Sequence, residues 1–468
     1  RKSLCVICAI GGLLFFRGDM LHIPVHHETD DPDFLALSDL VVSEMRRLQV
    51  PGVAVGLFHD GHEHLAGFGV TSVENPLPVT ADTLFQIGST TKTVTGTIIM
   101  RLVERGLIDL DAPVKSYVPE LLLQDKTAEE TVTTRHLLTH MGGWLGDFFR
   151  ETGNGDDSLA RYVAEMGTLP QVVPVGAVWS YNNAGFGLAG RVIEAVTGRT
   201  YEAVAQELLL DPLRMDNSFF FPADVISRRF VVGHHVAEGT GPVVDRPWAL
   251  ARSAHAVGGL CSSARDQVRY ARFHLGDGAT ARGERLLSAE TMALMQTPQC
   301  AANLGREMGL SWILKDMAGV PTVLHGGATN GQLSAFVMVP SRNFAITVLT
   351  NAEEGNMLHD EVVKWAMGRY LGLVEPEMSY LALEPAALAE YAGTYQARLS
   401  HLDFYTEGGQ PMVLQTPHGG FPDVDSPASP APPPSRVAFF GTDRAIALDP
   451  PLINMTMDFV RDRDRRGE

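Results

Sequence analysis

The chain has 468 residues, of which 45% are hydrophobic and 20% charged, a balance that excludes a disordered tail, a collagen-like fibre and a disulfide-stapled miniprotein. At ~100–200 residues per domain, two or three domains are expected, each with its own core. Lys+Arg 37 against Asp+Glu 55 gives a formal charge of −18; a field of that sign repels phosphate backbones, so no nucleic-acid partner is expected and a small-molecule or peptide substrate is.

Arg1, Lys2 and the apolar run 4–16 resemble the charged and apolar parts of a secretory signal. The run is short for a bilayer of ~30 Å, and Arg17, Gly18 and Asp19 follow it in place of a small-x-small cleavage site. Residues 1–30 are read as a leader or signal-like segment. Localisation is then periplasmic or secreted if the signal is real and cytoplasmic otherwise, and membrane association stays open. His22, His26 and His27 belong to this polar leader and not to a metal cluster. Cys5 and Cys8 lie in the same run, while Cys261 and Cys300 stand alone without zinc or disulfide spacing. Cys261 reads as a small buried apolar residue.

Leu35, Leu37, Leu40, Val41, Met45 and Leu48 recur at helical spacing, followed by a strand-like run 53–58, the turn Asp60-Gly61 and an alternating run 64–70. A helix followed by a hairpin is predicted. From about Ser89 to Met215 the chain reads as mostly helical, punctuated at Gly106, Pro113, Gly142-Gly143, Pro174-Val175-Gly176 and Gly198. Strand patterns return at 309–315, 320–325, 332–339 and 344–350, and a helix at 357–371. Strands from both ends with helices inserted imply one sheet assembled from distant segments beside an all-helical lobe, an α/β domain over residues 31–375. Beyond it Pro376, Pro385 and short alternating runs near Tyr391, Met412 and Val437 predict a small all-β domain over residues 376–468. The proline-rich stretch 426–435 reads as an exposed extended loop.

Three stretches carry chemistry. The first, Phe85-Gln86-Ile87-Gly88-Ser89-Thr90-Thr91-Lys92, precedes Val94, Ile98, Leu102 and Val103 at helical spacing, so Ser89 opens a helix and Lys92 projects from the same face. Serine becomes a nucleophile when a neighbouring base takes its proton, and a lysine serves if burial or nearby positive charge lowers its pKa from ~10.4. Alone, Ser-x-x-Lys is also the pattern of an N-cap followed by a solvated lysine. The second is Ser180-Tyr181-Asn182-Asn183 before a helix over 186–196. Tyr181 acts as a proton shuttle if adjacent cations lower its pKa from ~10, and Asn183 orients Lys92 or a substrate carbonyl. The third is a strand ending in His325-Gly326-Gly327-Ala328, where glycines admit a ligand to the backbone and His325 offers a donor or a variable positive charge. Singly, the second is also an aromatic packed beneath a turn and the third a turn with a satisfied histidine.

In this order, with Thr134-Arg135-His136-Leu137-Leu138-Thr139-His140-Met141-Gly142-Gly143 between the first two, the stretches resemble the penicillin-recognising serine hydrolases: class C β-lactamases, low-molecular-weight penicillin-binding proteins, D-aminopeptidases and class VIII carboxylesterases. The resemblance covers about residues 34–373. It implies a β-lactamase-like antiparallel sheet flanked by helices with a helical lobe. It also implies Ser89 as acylated nucleophile, Lys92 as base partner, Tyr181 as general base, Asn183 as a Lys92- and substrate-binding residue, and the amides of Ser89 and Ala328 as oxyanion donors. His325 and Gly327 complete the substrate-binding set. Where the β-lactamase pattern has Lys-Thr-Gly, this chain has His325-Gly326-Gly327, which argues against efficient β-lactam hydrolysis because the fixed charge for a substrate carboxylate is missing. A His-x-Gly version is similar to that of D-aminopeptidases and of peptidases with C-terminal β-barrel modules, and Tyr391-Ala392-Gly393-Thr394-Tyr395 is similar to the start of a lipocalin-like module.

The expectation is a serine hydrolase acting through an acyl-enzyme on Ser89, on small peptides or amides in the manner of a D-aminopeptidase. A carboxylesterase on short-chain esters is the alternative. A non-catalytic binding or scaffolding protein on the same fold would need a damaged motif, and none of the acylation residues is missing. His136 and His140 are four apart without the glutamate a zinc helix needs, and they are read as capping or packing residues. No cofactor and no metal are expected, and the oligomeric state stays open.

Overall fold

Val25–His27 (β1), Gly52–His59 (β2) and His62–Gly69 (β3) form one end of an antiparallel sheet in a computed structural model that describes residues 23–461 except 238, 240, 377, 421–424, 451, 454 and 460. The run 4–16, Cys5, Cys8 and His22 lie outside the described residues. Asp60 and Gly61 both take positive φ, 47° and 86°, as the tight turn joining β2 to β3 demands. Residues 25–30, read from the sequence as leader, are instead structural. Val25 pairs with Phe68 and His27 with Ala66, and Asp31 accepts the Phe34 N–H at 2.8 Å to cap the next helix, Pro32–Leu48 (α1). The signal was weak because an edge strand is held by backbone bonds, and its exposed histidines carry no apolar alternation.

The chain returns to this sheet only at Cys300–Ala301 (β4), Glu307–Met308 (β5), Ile313–Met317 (β6), Val320–Ala328 (β7), Leu333–Val339 (β8) and Phe344–Thr350 (β9). The order is β1-β3-β2-β9-β8-β7-β6-β5-β4. β9 runs beside β2, with Phe344 opposite His59 and Thr350 opposite Val53, so the distant ends meet as the sequence implied. All seven residues of β9 are buried because both faces of the sheet are covered. Alternation sorts them: Phe344, Ile346 and Val348 pack with Val53, Val55 and Leu57 in one core, and Ala345 and Leu349 with Ala54 and Phe58 in the other. The first core is closed by α1 and by a helix near the end of the domain, and the second by the helical lobe.

The four longest further helices are Thr91–Glu104 (α2), Asn183–Thr197 (α3), Ala264–Leu275 (α4) and Gly355–Leu371 (α5). α5 pairs with α1 outside the first core. α2 runs through the second core with Thr91 to Leu102 all buried, and its hydroxyls are satisfied there. Thr93 donates to Thr90 O at 2.8 Å, Thr97 to Thr93 O at 2.8 Å and Thr95 to Ala256 O at 2.7 Å. Six strands follow the domain as an antiparallel meander: Gly393–Gln396 (β10), Ser400–Glu407 (β11), Gln410–Pro417 (β12), Ser435–Gly441 (β13), Arg444–Ala447 (β14) and Thr456–Asp458 (β15). Its small core holds Leu388, Tyr391, Phe404, Val413, Val437 and Phe439. Residues 426–434 of the proline-rich stretch lie between β12 and β13 and are largely exposed. The architecture expected from the sequence, a helix-flanked antiparallel sheet with a helical lobe and a small all-β module, is the one observed. No helix among the described residues is long and apolar enough to cross a membrane.

Candidate active site

Gly88, with φ of 50°, turns the chain into the single 3-10 turn Gly88–Thr90 that opens α2. Ser89 is half-buried at this turn, while Lys92, one turn deeper, is fully buried. Lys92 Nζ lies 2.9 Å from Ser89 Oγ and donates to Val257 O at 3.0 Å. Burial lowers the lysine pKa from 10.5 to about 7, with Asp147 pulling weakly the other way. The remaining space around Nζ is aromatic, with the Tyr181 and Phe186 ring centres at 5.0 and 5.7 Å. The amine is therefore a base near neutral pH, aimed at the serine hydroxyl.

Tyr181 precedes α3, whose N-cap Asn182 accepts the Gly185 N–H at 2.8 Å and donates to Trp144 O at 2.8 Å. These bonds set the phenol beside Ser89 and Lys92, whose Nζ lies 5.0 Å from the Tyr181 ring centre. Its pKa moves opposite to the sequence expectation: burial raises it well above 10, and the neighbouring Ser89 hydroxyl only partly offsets that. No nearby positive charge lowers it, and the Asp147 carboxylate raises it further. Asn183 does not make the contact with Lys92 that was expected of it. Its Nδ2 donates to Asp147 Oδ1 at 3.0 Å, whereas Lys92 bonds Ser89 and Val257. Asp147 lies 36 residues earlier in an irregular segment, so no local pattern announced the pairing.

β7 pairs with β6 only as far as Leu324 but with β8 through Ala328. Residues 325–328 are thus strand, and their open edge lies against the turn that carries Ser89. Glycine is required for this approach. A Cβ on Gly327 would overlap Ile87 O and stand 2.7 Å from Ser89 N, and one on Gly88 would stand 2.6 Å from Ala328 N. Ser334 of β8 locks the same contact by donating to Ile87 O at 2.7 Å and bonding Thr90 Oγ1 at 2.9 Å. His325 is buried, with Nδ1 2.6 Å from Gly326 O. Burial and the nearby Lys92 lower its pKa to about 3. It is a neutral polar group, and the expected variable positive charge is absent.

Sequence reasoning missed the support behind Lys92. Val257 O is a backbone atom in the short helix His255–Gly258. That segment is anchored by Glu202, whose carboxylate meets Arg252 at 3.1 and 3.2 Å and His255 Nδ1 at 2.7 Å. Burial pushes the Glu202 pKa up, but the His255 and Arg252 bonds outweigh it and bring it to about 2. At the rim, Phe148, Phe149, Arg150, Asn183, Ser253 and Val257 line a narrow cavity. Arg398, between β10 and β11, lies 5.4 Å over the Phe148 ring, so the C-terminal module reaches this rim. His136 caps its helix with Thr133, and Cys261 is buried among apolar neighbours, as the sequence suggested. Among the described residues no three His, Cys, Asp or Glu side chains stand together to hold a metal.

A serine and a desolvated lysine at the head of a buried helix, a tyrosine next to the serine and a glycine-edged strand beside it define a serine hydrolase of the acyl-transfer class. The family model described as Beta-lactamase matches residues 37–364, and the chain belongs to that family. Penicillin-binding protein 4 of Amycolatopsis lactamdurans is 35% identical over 370 residues, covering 77% of this chain and 95% of its own length. The structure titled SurE with D-Leu shares 25% identity at a TM-score of 0.70, over 92% of this chain and 95% of that one. A class C β-lactamase structure matches 72% of this chain and 98% of its own at a TM-score of 0.61 and 20% identity, which shows the common fold.

Proposed function

We propose that this serine hydrolase acts on small peptides or amides, including those with a D-residue, through an acyl-enzyme on Ser89. The observation that carries this reading is Lys92 Nζ at 2.9 Å from Ser89 Oγ with its pKa lowered to about 7. The neutral amine takes the Ser89 proton as Oγ bonds to the substrate carbonyl carbon. The resulting oxyanion faces the amides of Ser89 and Ala328. On collapse the carbon–nitrogen bond breaks, Tyr181 gives its hydroxyl proton to the departing amine, and Lys92 returns a proton to Tyr181. A high phenol pKa suits this part, since a neutral phenol is a proton donor and not a standing anion. Water then repeats the sequence in reverse and frees Ser89. Asn183 and Gly327 bound the substrate, and the neutral His325 supplies a hydrogen-bonding group. The D-residue preference draws support from the similar SurE structure solved with D-Leu.

A carboxylesterase on short-chain esters is the second reading, favoured by one observation: His325 is uncharged where a lysine would hold a substrate carboxylate. Incubation with a fluorophosphonate followed by intact-mass measurement is expected to add one label that Ser89→Ala abolishes. Absence of label on the unaltered protein overturns both readings. Turnover of D-aminoacyl amides against short p-nitrophenyl esters then ranks them, and a preference for the esters refutes the first.

A further inference from the structure

His140 was expected to pack or cap; its surroundings say more. It carries a β-carbon yet takes φ of 58°, a left-handed conformation that glycine or asparagine adopts at less cost. It is 1% exposed, and its Nε2 has no hydrogen-bond partner. Two unfavourable features in one buried residue persist where the surroundings over-determine them. A turn needing only the backbone shape would be served by glycine, so the imidazole itself is what the site retains.

We propose that His140 is a positioning residue for the Tyr181 phenol. The inference rests on the proton-transfer role proposed for Tyr181. His140 O accepts the Ser180 N–H at 3.1 Å and His140 Nδ1 accepts the Asn182 N–H at 2.9 Å, so one residue grips the chain on both sides of Tyr181. Its ring then stacks on the phenol at 4.4 Å and 30°. The ring is itself held by Phe186 at 5.1 Å and by the edge of Trp179 at 5.9 Å. Because Nδ1 accepts, the neutral ring carries its proton on Nε2. Burial, Lys92 and His325 all disfavour a second proton, and a protonated Nδ1 would lose the Asn182 bond. The phenol is thus fixed by two backbone clamps and one ring face, on a group that keeps one protonation state.

The test is a double-mutant cycle with Tyr181→Phe. His140→Ala is expected to lower kcat at least tenfold with KM within threefold. His140→Asn, which tolerates positive φ and places an acceptor where Nδ1 stood, is expected to recover part of that loss. In the Tyr181→Phe background neither change lowers kcat further, because the group they position is gone. A folded His140→Ala protein with wild-type kcat, no recovery by asparagine, or losses that simply multiply in the Tyr181→Phe background would overturn the inference. Should alanine abolish folding, the asparagine arm of the cycle decides alone by the same criterion. Fluorophosphonate labelling of the unaltered protein separates the two levels. No label refutes the serine hydrolase reading, and with it this one. Labelling with a slow Tyr181→Phe and an additive cycle refutes only the role of His140.

Discussion

α2 and the C-terminal meander are built on opposite terms. In α2 the twelve residues Thr91 to Leu102 are all buried, whereas in the first three strands of the meander β10 has no buried residue, β11 only Phe404 and β12 only Val413, the buried residues of its strands lying mostly in β13 and β14. Lys92 sits in the first region and Ser89 on the turn that opens it, so their geometry cannot move without disturbing a close-packed core. The meander presents polar loops, one of which reaches the rim through Arg398. The difference teaches that close packing fixes where Ser89 and Lys92 sit, whereas the meander touches the site's rim through one arginine, on a surface where side chains change at little cost to the fold.

Replacing Lys92 tests the rigid half most severely. Lys92→Ala is expected to lower kcat by ~10³-fold or more, as loss of an integral member of a nucleophile-activating set does. In the proposed mechanism the base is the unprotonated Lys92 amine, whose pKa burial lowers to about 7. kcat/KM is therefore expected to be flat above that pH and to fall about tenfold per pH unit below it. His325, at about 3, stays neutral across this window and contributes no step. A pH–rate profile with no inflection between 6 and 8 would show that Lys92 does not set the rate.

Gly327→Ala strikes the contact between β7 and the serine turn. The added Cβ overlaps Ile87 O, and the backbone must yield because the obstacle is not a flexible side chain. A loss of ~10²-fold in kcat is expected as the amide geometry opens, with a stability loss of ~1–3 kcal/mol measured by denaturant unfolding. Unchanged kcat would mean that this edge serves packing alone.

Much of this was legible before any coordinates because apolar periodicity marks elements that bury one face. α1, the β2–β3 hairpin, β8, β9 and α5 fall where their patterns place them. The two-residue strands β4 and β5 are too short to alternate, and β1 has exposed histidines. Site residues were legible where chemistry needs a side chain at fixed spacing, as with Ser89 and Lys92. Sequence could not show that Val257 O holds the lysine, since a carbonyl has no residue signature. Nor could it show that Asn183 turns to Asp147, or that burial raises the Tyr181 pKa and silences His325. Direction of a side chain and dielectric around it are properties of the assembled core, and His140, read as a capping or packing residue, illustrates both.

The smallest expected effect belongs to the meander. Arg398 lies over one Phe148 ring shared with Arg150, whose guanidinium is 5.0 Å from the ring centre. Burial and Arg150 both lower the Arg398 pKa, while Tyr162 and Asp147 oppose them. An arginine on an aromatic face at a half-open site contributes ~0.5–1 kcal/mol, so Arg398→Ala is expected to leave folding and Ser89 labelling intact. Because it stands at the rim and away from Ser89 and Lys92, its loss is expected to change KM two- to fivefold for the preferred substrate while kcat holds within twofold. Arg398→Lys, keeping charge but losing the planar stack, should fall between. If instead kcat collapses with KM unchanged, the meander takes part in the chemical step and the contrast between the two regions fails. If neither parameter moves, the arginine braces Phe148 alone, and selection of substrate lies wholly within the larger domain.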